Sequence, residues 1–418
     1  MVGMHYEIST LPNGLRLITE YVPGIRSIAV GIWVDTGSRD ENDNEVGASH
    51  FLEHLLFKGS EKISSREISE RFDAIGAESN AFTAKDHTCF WARLLDEDLE
   101  EGLELLGEMI QRPAFRSHEI DAERQVVVEE INEAEDDSSD RCHELFYQTI
   151  YEHHPLGIPV LGTRDSVFAM TRDDITAYWK RRYGASSTVL AMAGSINHQR
   201  AVESVLRAFG DWSGDGTEHR LSPVQVNPKV RVVPREIEQV HLILGGSAIT
   251  RDDDRRYPLE VMNYVLGGGM ASRLFSSIRE DRGLAYSVYS FRHAYQDVGS
   301  WAVYVATTPR NVDQVLEVVR KEVSEIAQDG ISEVELARAK GAIRGGLALA
   351  MEDPNSRMIR LGRDELMGTP HWSVDERLAR LDAITLGEVR GVAGDVMTGP
   401  TVLTAVGPLV ETELEAYL

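Results

Sequence analysis

The stretch that decides the fold is Gly47-Ala48-Ser49-His50-Phe51-Leu52-Glu53-His54-Leu55-Leu56-Phe57. Its apolar residues make nearly every other position core-like, and residues 46–59 read as a helix closing at Gly59. On a helix, His50 and His54 project from one face, so both imidazoles can converge on one metal ion. Neutral imidazole is a good zinc ligand at about 2.0–2.1 Å. Glu53 projects close to the same face, where a general base has to stand to deprotonate an attacking water. The order His-x-x-Glu-His inverts the commoner His-Glu-x-x-His. A plain polar helix face is the competing reading. Against it, three ionisable groups on an otherwise buried helix are costly unless each has a partner or a task, and metal ligation supplies both.

A catalytic zinc takes three protein ligands and keeps one position open. The obvious donor of the third is Glu123-Arg124-Gln125-Val126-Val127-Val128-Glu129-Glu130-Ile131-Asn132-Glu133, within a helix predicted over 118–135. Its apolar residues mark a buried face, yet it is packed with carboxylates. Glu123 and Glu130 share a face and Glu133 lies one turn beyond Glu130. Spacing alone leaves Glu129, Glu130 and Glu133 open.

Working outward, Leu15–Thr19 and Ser27–Val34 read as strands, and Ser79–Leu95 as two strand-like stretches broken at Ala84-Lys85-Asp86. Helices are predicted near 65–75, 97–111, 139–151 and 172–182, and Thr188–Gly194 as a closing strand. Ser213–Lys229, rich in Gly, Ser and Pro, reads as a linker. After it the pattern restarts with a strand over 239–244, a helix over 258–266 closing on Gly267-Gly268-Gly269, and helices near 311–327 and 332–351. Setting Gly59 against Gly268 places Leu259, Met262 and Asn263 opposite His50, Glu53 and His54. No acidic residue stands opposite Glu130. The chain therefore reads as a diverged internal duplication: two homologous α+β domains, 1–212 and 231–418, joined by a linker over 213–230, with the polar cluster only in the first.

Composition bounds the rest. The 418 residues carry a formal net charge of −25, with 42% hydrophobic and 27% charged residues. A duplex-binding protein needs a basic footprint, so nucleic acid is not an expected partner. Two distant cysteines, Cys89 and Cys142, give no disulfide framework. Met1–Leu15 shows no secretory pattern, and nowhere do about 18 apolar residues run together, so a cytoplasmic chain without a membrane span is expected.

Gly47 to His54, followed by Glu123 to Ile131, resembles the pitrilysin and insulin-degrading-enzyme family of zinc peptidases. It is most similar to the mitochondrial processing peptidase β subunit and its short bacterial homologues. The resemblance implies one zinc per chain, held by His50, His54 and Glu130, with Glu53 as the base. It implies that Glu123 supports the site without ligating the metal. Ser79-Asn80-Ala81-Phe82-Thr83 resembles the edge strand on which the family lays its substrate as an added strand, which would make Asn80, Ala81 and Phe82 substrate-binding. Arg279-Glu280-Asp281-Arg282-Gly283-Leu284-Ala285-Tyr286 resembles the family segment whose Arg and Tyr contact substrate and the developing oxyanion. Arg279 and Tyr286 are the matching positions, with Arg282 as the rival arginine. The resemblance also implies half of a clamshell, completed by a homodimer around a chamber that admits short or unfolded peptides. The acidic balance suits basic ones.

Gly267-Gly268-Gly269 lacks the Gly-Lys-Ser/Thr of a phosphate loop. His153-His154 and Cys142-His143 lack ligand spacing for a second metal. Two other functional classes stand beside the peptidase: a non-catalytic core or scaffold subunit of the same family, and a peptide-binding module that needs no metal.

Overall fold

The structure, a computed structural model, describes residues 6–219 and 221–418. Residues 1–5, where the Met1–Leu15 segment begins, and Arg220, inside the expected linker, lie outside the described residues. The first compact unit comprises residues 1–131, 158–220 and 347–374, and the second 132–157, 221–346 and 375–418.

The first unit is built on strands β1 (Tyr6–Thr10), β2 (Arg16–Tyr21), β3 (Ser27–Val34), β4 (Glu78–Thr83), β5 (Thr88–Leu95) and β6 (Thr188–Gly194). They form one six-stranded sheet in the order β1-β2-β6-β3-β5-β4. Every pairing is antiparallel except β2 with β6. The apolar run of β6 is buried along its whole length, as befits a central strand covered on both faces. One face packs on helices Ala48–Leu56, Leu99–Gln111 and Arg172–Arg182, through residues such as Phe51, Leu52, Leu106, Ile110 and Tyr178. Met358 and Leu361, from helix Pro354–Leu366, cover the other face with Trp33, Ala29 and Val189. The approach is close enough to require glycine on both sides: a Cβ on Gly31 would lie 2.2 Å from Met358 Sδ, and one on Gly362 would lie 2.1 Å from Trp33 Nε1.

The second unit is built on β7 (Lys229–Pro234), β8 (Val240–Ala248), β9 (Ala285–Ala294), β10 (Gly299–Thr307) and β11 (Thr401–Gly407). Its five-stranded sheet runs β7-β11-β8-β10-β9, antiparallel except for β7 with β11. This is the topology of β2-β6-β3-β5-β4, so the duplication expected from the sequence is a duplication of fold, with β1 as an addition to the first copy. Helix Ser138–Ile150 covers this sheet, packing Cys142, Phe146 and Ile150 against Ile243, Ala302, Val402 and Val406.

The units therefore differ from the contiguous spans 1–212 and 231–418. A helix from each half of the sequence completes the other half's sheet, and the two exchanged helices occupy equivalent places. The physical reason is that an amphipathic helix must bury its apolar face against some sheet, and either sheet offers a suitable surface. Local differences are small. The first helix spans Ala48–Leu56, and Gly59 forms a bridge with Ser64 instead of capping it. The helix expected over 258–266 spans Arg256–Asn263 and continues as a wider turn to Gly268. Among the described residues, no helix is long and apolar enough to cross a membrane.

Candidate metal centre

Helix Ala48–Leu56 sinks Phe51, Leu52, Leu55 and Leu56 into the first unit's core. That anchorage leaves His50, Glu53 and His54, each half-buried, on the side that meets helix Ser117–Asp136. Val127, Val128 and Ile131 bury the inner face of that second helix and so turn Glu123 and Glu130 toward the histidines.

His50 Nε2 and His54 Nε2 stand 3.2 Å apart. Glu130 Oε2 lies 3.5 Å from the first and 3.3 Å from the second. Ligand atoms about 2.0–2.1 Å from a tetrahedral zinc stand about 3.3 Å from one another, so the three donors already have the spacing of such a site. Among the described residues they form the one His/Cys/Asp/Glu group able to hold a metal. Glu129 and Glu133, which spacing left open, are exposed to solvent and belong to no such group. His154 and Cys142 are likewise outside any such group; Cys142 Sγ donates to His241 O instead.

His54 Nδ1 lies 2.8 Å from Glu123 Oε1. A carboxylate there fixes the proton on Nδ1 and leaves the Nε2 lone pair free for a metal. Lys58 Nζ holds the other oxygen of Glu123 at 2.5 Å. Burial favours the neutral acid at Glu123, but the hydrogen bonds from His54 and Lys58 outweigh it and lower its pKa. Burial, with the repulsion of His54, pushes His50 down to about 4, so it is a neutral donor at physiological pH. At His54 burial is outweighed by Glu123, Glu130 and Glu53, which raise the pKa. At Glu53, in contrast, burial itself raises the pKa, against a hydrogen bond from Thr83 Oγ1 to its Oε2 at 2.5 Å.

Thr83 ends β4, one of the two edge strands of the first sheet. Its pairing with β5 sets Asn80 opposite Trp91, Ala81 opposite Phe90 and Phe82 opposite Cys89. Ala81 rests against the main core and Phe82 packs edge-on against Trp33. Asn80 Oδ1 accepts from the backbone N–H of Ala81 at 2.8 Å. In the second unit, the Arg279 guanidinium lies over the Tyr286 ring, 4.2 Å from its centroid, and donates to Tyr286 O at 3.2 Å. Tyr286 is 75% exposed, so the pair lies on the surface. Arg282, the rival arginine, donates to Ser277 O and serves its own turn. Lys58 and Thr83 had no assigned part from sequence. Lys58 follows the metal helix directly and Thr83 ends the quoted edge strand, but their partners lie tens of residues away.

Known proteins resemble this chain over most of its length. Residues 16–164 match the family model Insulinase (Peptidase family M16), and residues 169–343 match Peptidase M16 inactive domain. An uncharacterized zinc protease of Streptomyces coelicolor is 42% identical, over 97% of this chain and 90% of its own length. Another, from Bacillus subtilis, is 38% identical over 96% of this chain and 97% of its own. The fold matches a crystal structure from Pseudomonas fluorescens described as a peptidase M16 inactive domain, with a TM-score of 0.91 at 20% identity, covering 97% of this chain and 98% of that one. A protease from Helicobacter pylori also gives 0.91 at 20% identity, over 96% and 99%. At that identity the two structures speak for the fold alone. The chain belongs to the insulinase family, peptidase family M16, the zinc peptidases that its His50–His54 and Glu123–Ile131 stretches resemble.

Proposed function

We propose that the protein is a zinc metalloendopeptidase that cleaves peptides or unfolded segments inside a chamber formed by a homodimer. The observation that carries this reading is the meeting of His50 Nε2, His54 Nε2 and Glu130 Oε2 at 3.2–3.5 Å, with Glu53 and an open sheet edge beside them. His50, His54 and Glu130 would hold the ion, which when bound lowers the pKa of water and polarises a carbonyl. Glu123, pinned by Lys58, keeps His54 in the donor tautomer.

Glu53 takes a proton from the attacking water and later delivers it to the leaving amine nitrogen. Its raised pKa suits a group that must both accept and release a proton. Thr83 holds Oε2, so Oε1 is the oxygen free to work. The peptide main chain adds to the open edge of β4, an arrangement that tolerates varied sequences because backbone pairing supplies the affinity. Asn80 covers the Ala81 N–H and has to swing aside for that pairing. Phe82 and Ala81 hold the strand to the sheet beneath. The Arg279–Tyr286 pair of a second copy donates to the carbonyl oxygen as negative charge builds on it. The net charge of −25 favours basic peptides, and the cytoplasm is the expected compartment.

Metal content combined with chelator-reversible cleavage of a small peptide panel tests this reading. Stoichiometric zinc near one per chain and activity lost to a chelator and restored by zinc are expected. Zinc without cleavage would favour a scaffold subunit, and peptide binding without zinc a binding module.

A further inference from the structure

The helix that carries His50 and His54 has no capping side chain of its own. Its N-cap is Gly47, at φ +89°, where a Cβ would stand 2.9 Å from Leu161 O. The helix is nine residues long and His50 is in its first turn, so fraying at that end would move a metal-binding nitrogen directly.

The missing cap comes from upstream. Glu41 Oε2 accepts from the backbone N–H of Gly47 and Oε1 from that of Ser49, both at 2.7 Å. The carboxyl group is buried, and burial pushes it up to about 8 against these two bonds. Ser49 adds a second tether, its hydroxyl 2.7 Å from that of Tyr178.

Glu41 is itself pinned. Its neighbour Asp40 binds Arg182 Nη2 at 2.6 Å and His219 Nδ1 at 2.8 Å, and accepts from Gly37 N at 2.9 Å. Ser38 N and Arg39 N donate to Ala84 O and Lys85 O, at 3.2 and 2.8 Å, in the turn that follows β4. One short segment, 37–41, thus grips the start of the metal helix and the turn beside Thr83, which donates to Glu53.

We propose that Glu41 is a positioning residue for the metal centre: by capping the helix from a segment bonded to the β4–β5 turn, it sets His50 and Glu53 in register with the substrate edge. This rests on the zinc-peptidase reading above. The test titrates zinc into chelator-stripped protein against a chromophoric chelator and measures kcat and KM on a fluorogenic peptide. Glu41→Gln keeps one acceptor oxygen and turns an amide NH₂ against the other backbone N–H. It is expected to weaken zinc binding about tenfold and to lower kcat with KM unchanged within about twofold. Glu41→Ala should do more, and if it does not fold, Glu41→Gln carries the test alone.

Thr385→Ala, which removes the cap of helix Leu386–Met397 in the second unit, is the control for a merely structural role. It should lower Tm and leave zinc affinity untouched. If Glu41→Gln behaves the same way, with zinc affinity and kcat within about twofold of wild type, the proposal is overturned. If the wild-type chain takes up no zinc at all, the underlying reading fails and takes this one with it, a result visible without any variant.

Discussion

The two units share one strand order and one pattern of pairing, yet differ where chemistry would occur. In the first, the helix beside the edge strand carries His50, Glu53 and His54; in the second, the corresponding positions are Leu259, Met262 and Asn263. Leu259 and Met262 are buried among apolar neighbours, and Asn263 O accepts from Ser290 Oγ at 2.8 Å. The second unit shows that this fold closes without a charge at any of those three positions. The cluster in the first unit is therefore not something the scaffold requires, and it buries groups that would be more stable in water.

The largest effect expected from this contrast is at Glu53. Glu53→Gln should cut peptide cleavage about 10³-fold, within the 10²–10⁴-fold range typical of a general base, while zinc content stays at one per chain. Glu53→Met copies the second unit at this position and should fold and bind zinc just as well. An active Glu53→Gln protein with its zinc in place would break the contrast, since the carboxylate would then have no chemical task.

Helix Ser117–Asp136 carries Glu130, whereas helix Glu333–Ala350 has no acidic residue at the matching position. Glu130→Gln should weaken zinc binding by at least about 100-fold, beyond the 10–100-fold expected for Glu123→Gln, which only orients His54. Glu129→Gln and Glu133→Gln should leave zinc affinity unchanged, because their side chains face solvent. Equilibrium competition with a chelator measures all four. Equal losses for Glu129→Gln and Glu130→Gln would show that the helix is rotated from the arrangement described.

If the proposed homodimer forms, mixed dimers test whether the two units divide the chemistry between them. An Arg279→Ala chain keeps its zinc half and a Glu53→Gln chain keeps its Arg279–Tyr286 half. If the site is shared across a twofold dimer, an equal mixture should recover about a quarter of wild-type activity, because half the dimers are mixed and each has one intact site. Recovery of nothing, with subunit exchange verified by mass spectrometry, would place both halves of the chemistry in one chain.

How much of this was legible in the sequence follows from the range of each interaction. His50, Glu53 and His54 stand out because ionisable groups recur at helical spacing among Phe51, Leu52, Leu55 and Leu56. Glu130 could not be separated from Glu129 and Glu133 by spacing, since the rotation of a helix is set by what Val127, Val128 and Ile131 pack against. Lys58 and Thr83 act through bonds to residues that the chain brings together only on folding, and Glu41 acts on the backbone N–H groups of Gly47 and Ser49, so no side-chain pattern marks any of the three. The exchanged helices Ser138–Ile150 and Pro354–Leu366 announce an apolar face but not which sheet will cover it.

The smallest effect expected concerns stability, at a place where the units again differ. Where the chain leaves β8, Ile249 packs against the apolar core of the second unit. Where it leaves β3, Asp35 and Asp40 meet His219, at 2.9 and 2.8 Å, and Arg182 closes the group on Asp40. Burial opposes the imidazolium of His219, but the two aspartates outweigh it and raise its pKa to about 9. A histidine raised on folding stabilises the native state fully below its unfolded pKa of about 6.5, and that contribution is lost as pH climbs through about 9. Denaturant unfolding should therefore show about 1–2 kcal/mol less stability at pH 9.5 than at pH 7, once the partial solvent access of the group is allowed for. His219→Gln should start lower and be flatter across that window. A wild-type profile as flat as that of the variant would mean that the aspartates hold His219 as a neutral hydrogen-bond partner, and the first unit would owe its clamp to Arg182 alone.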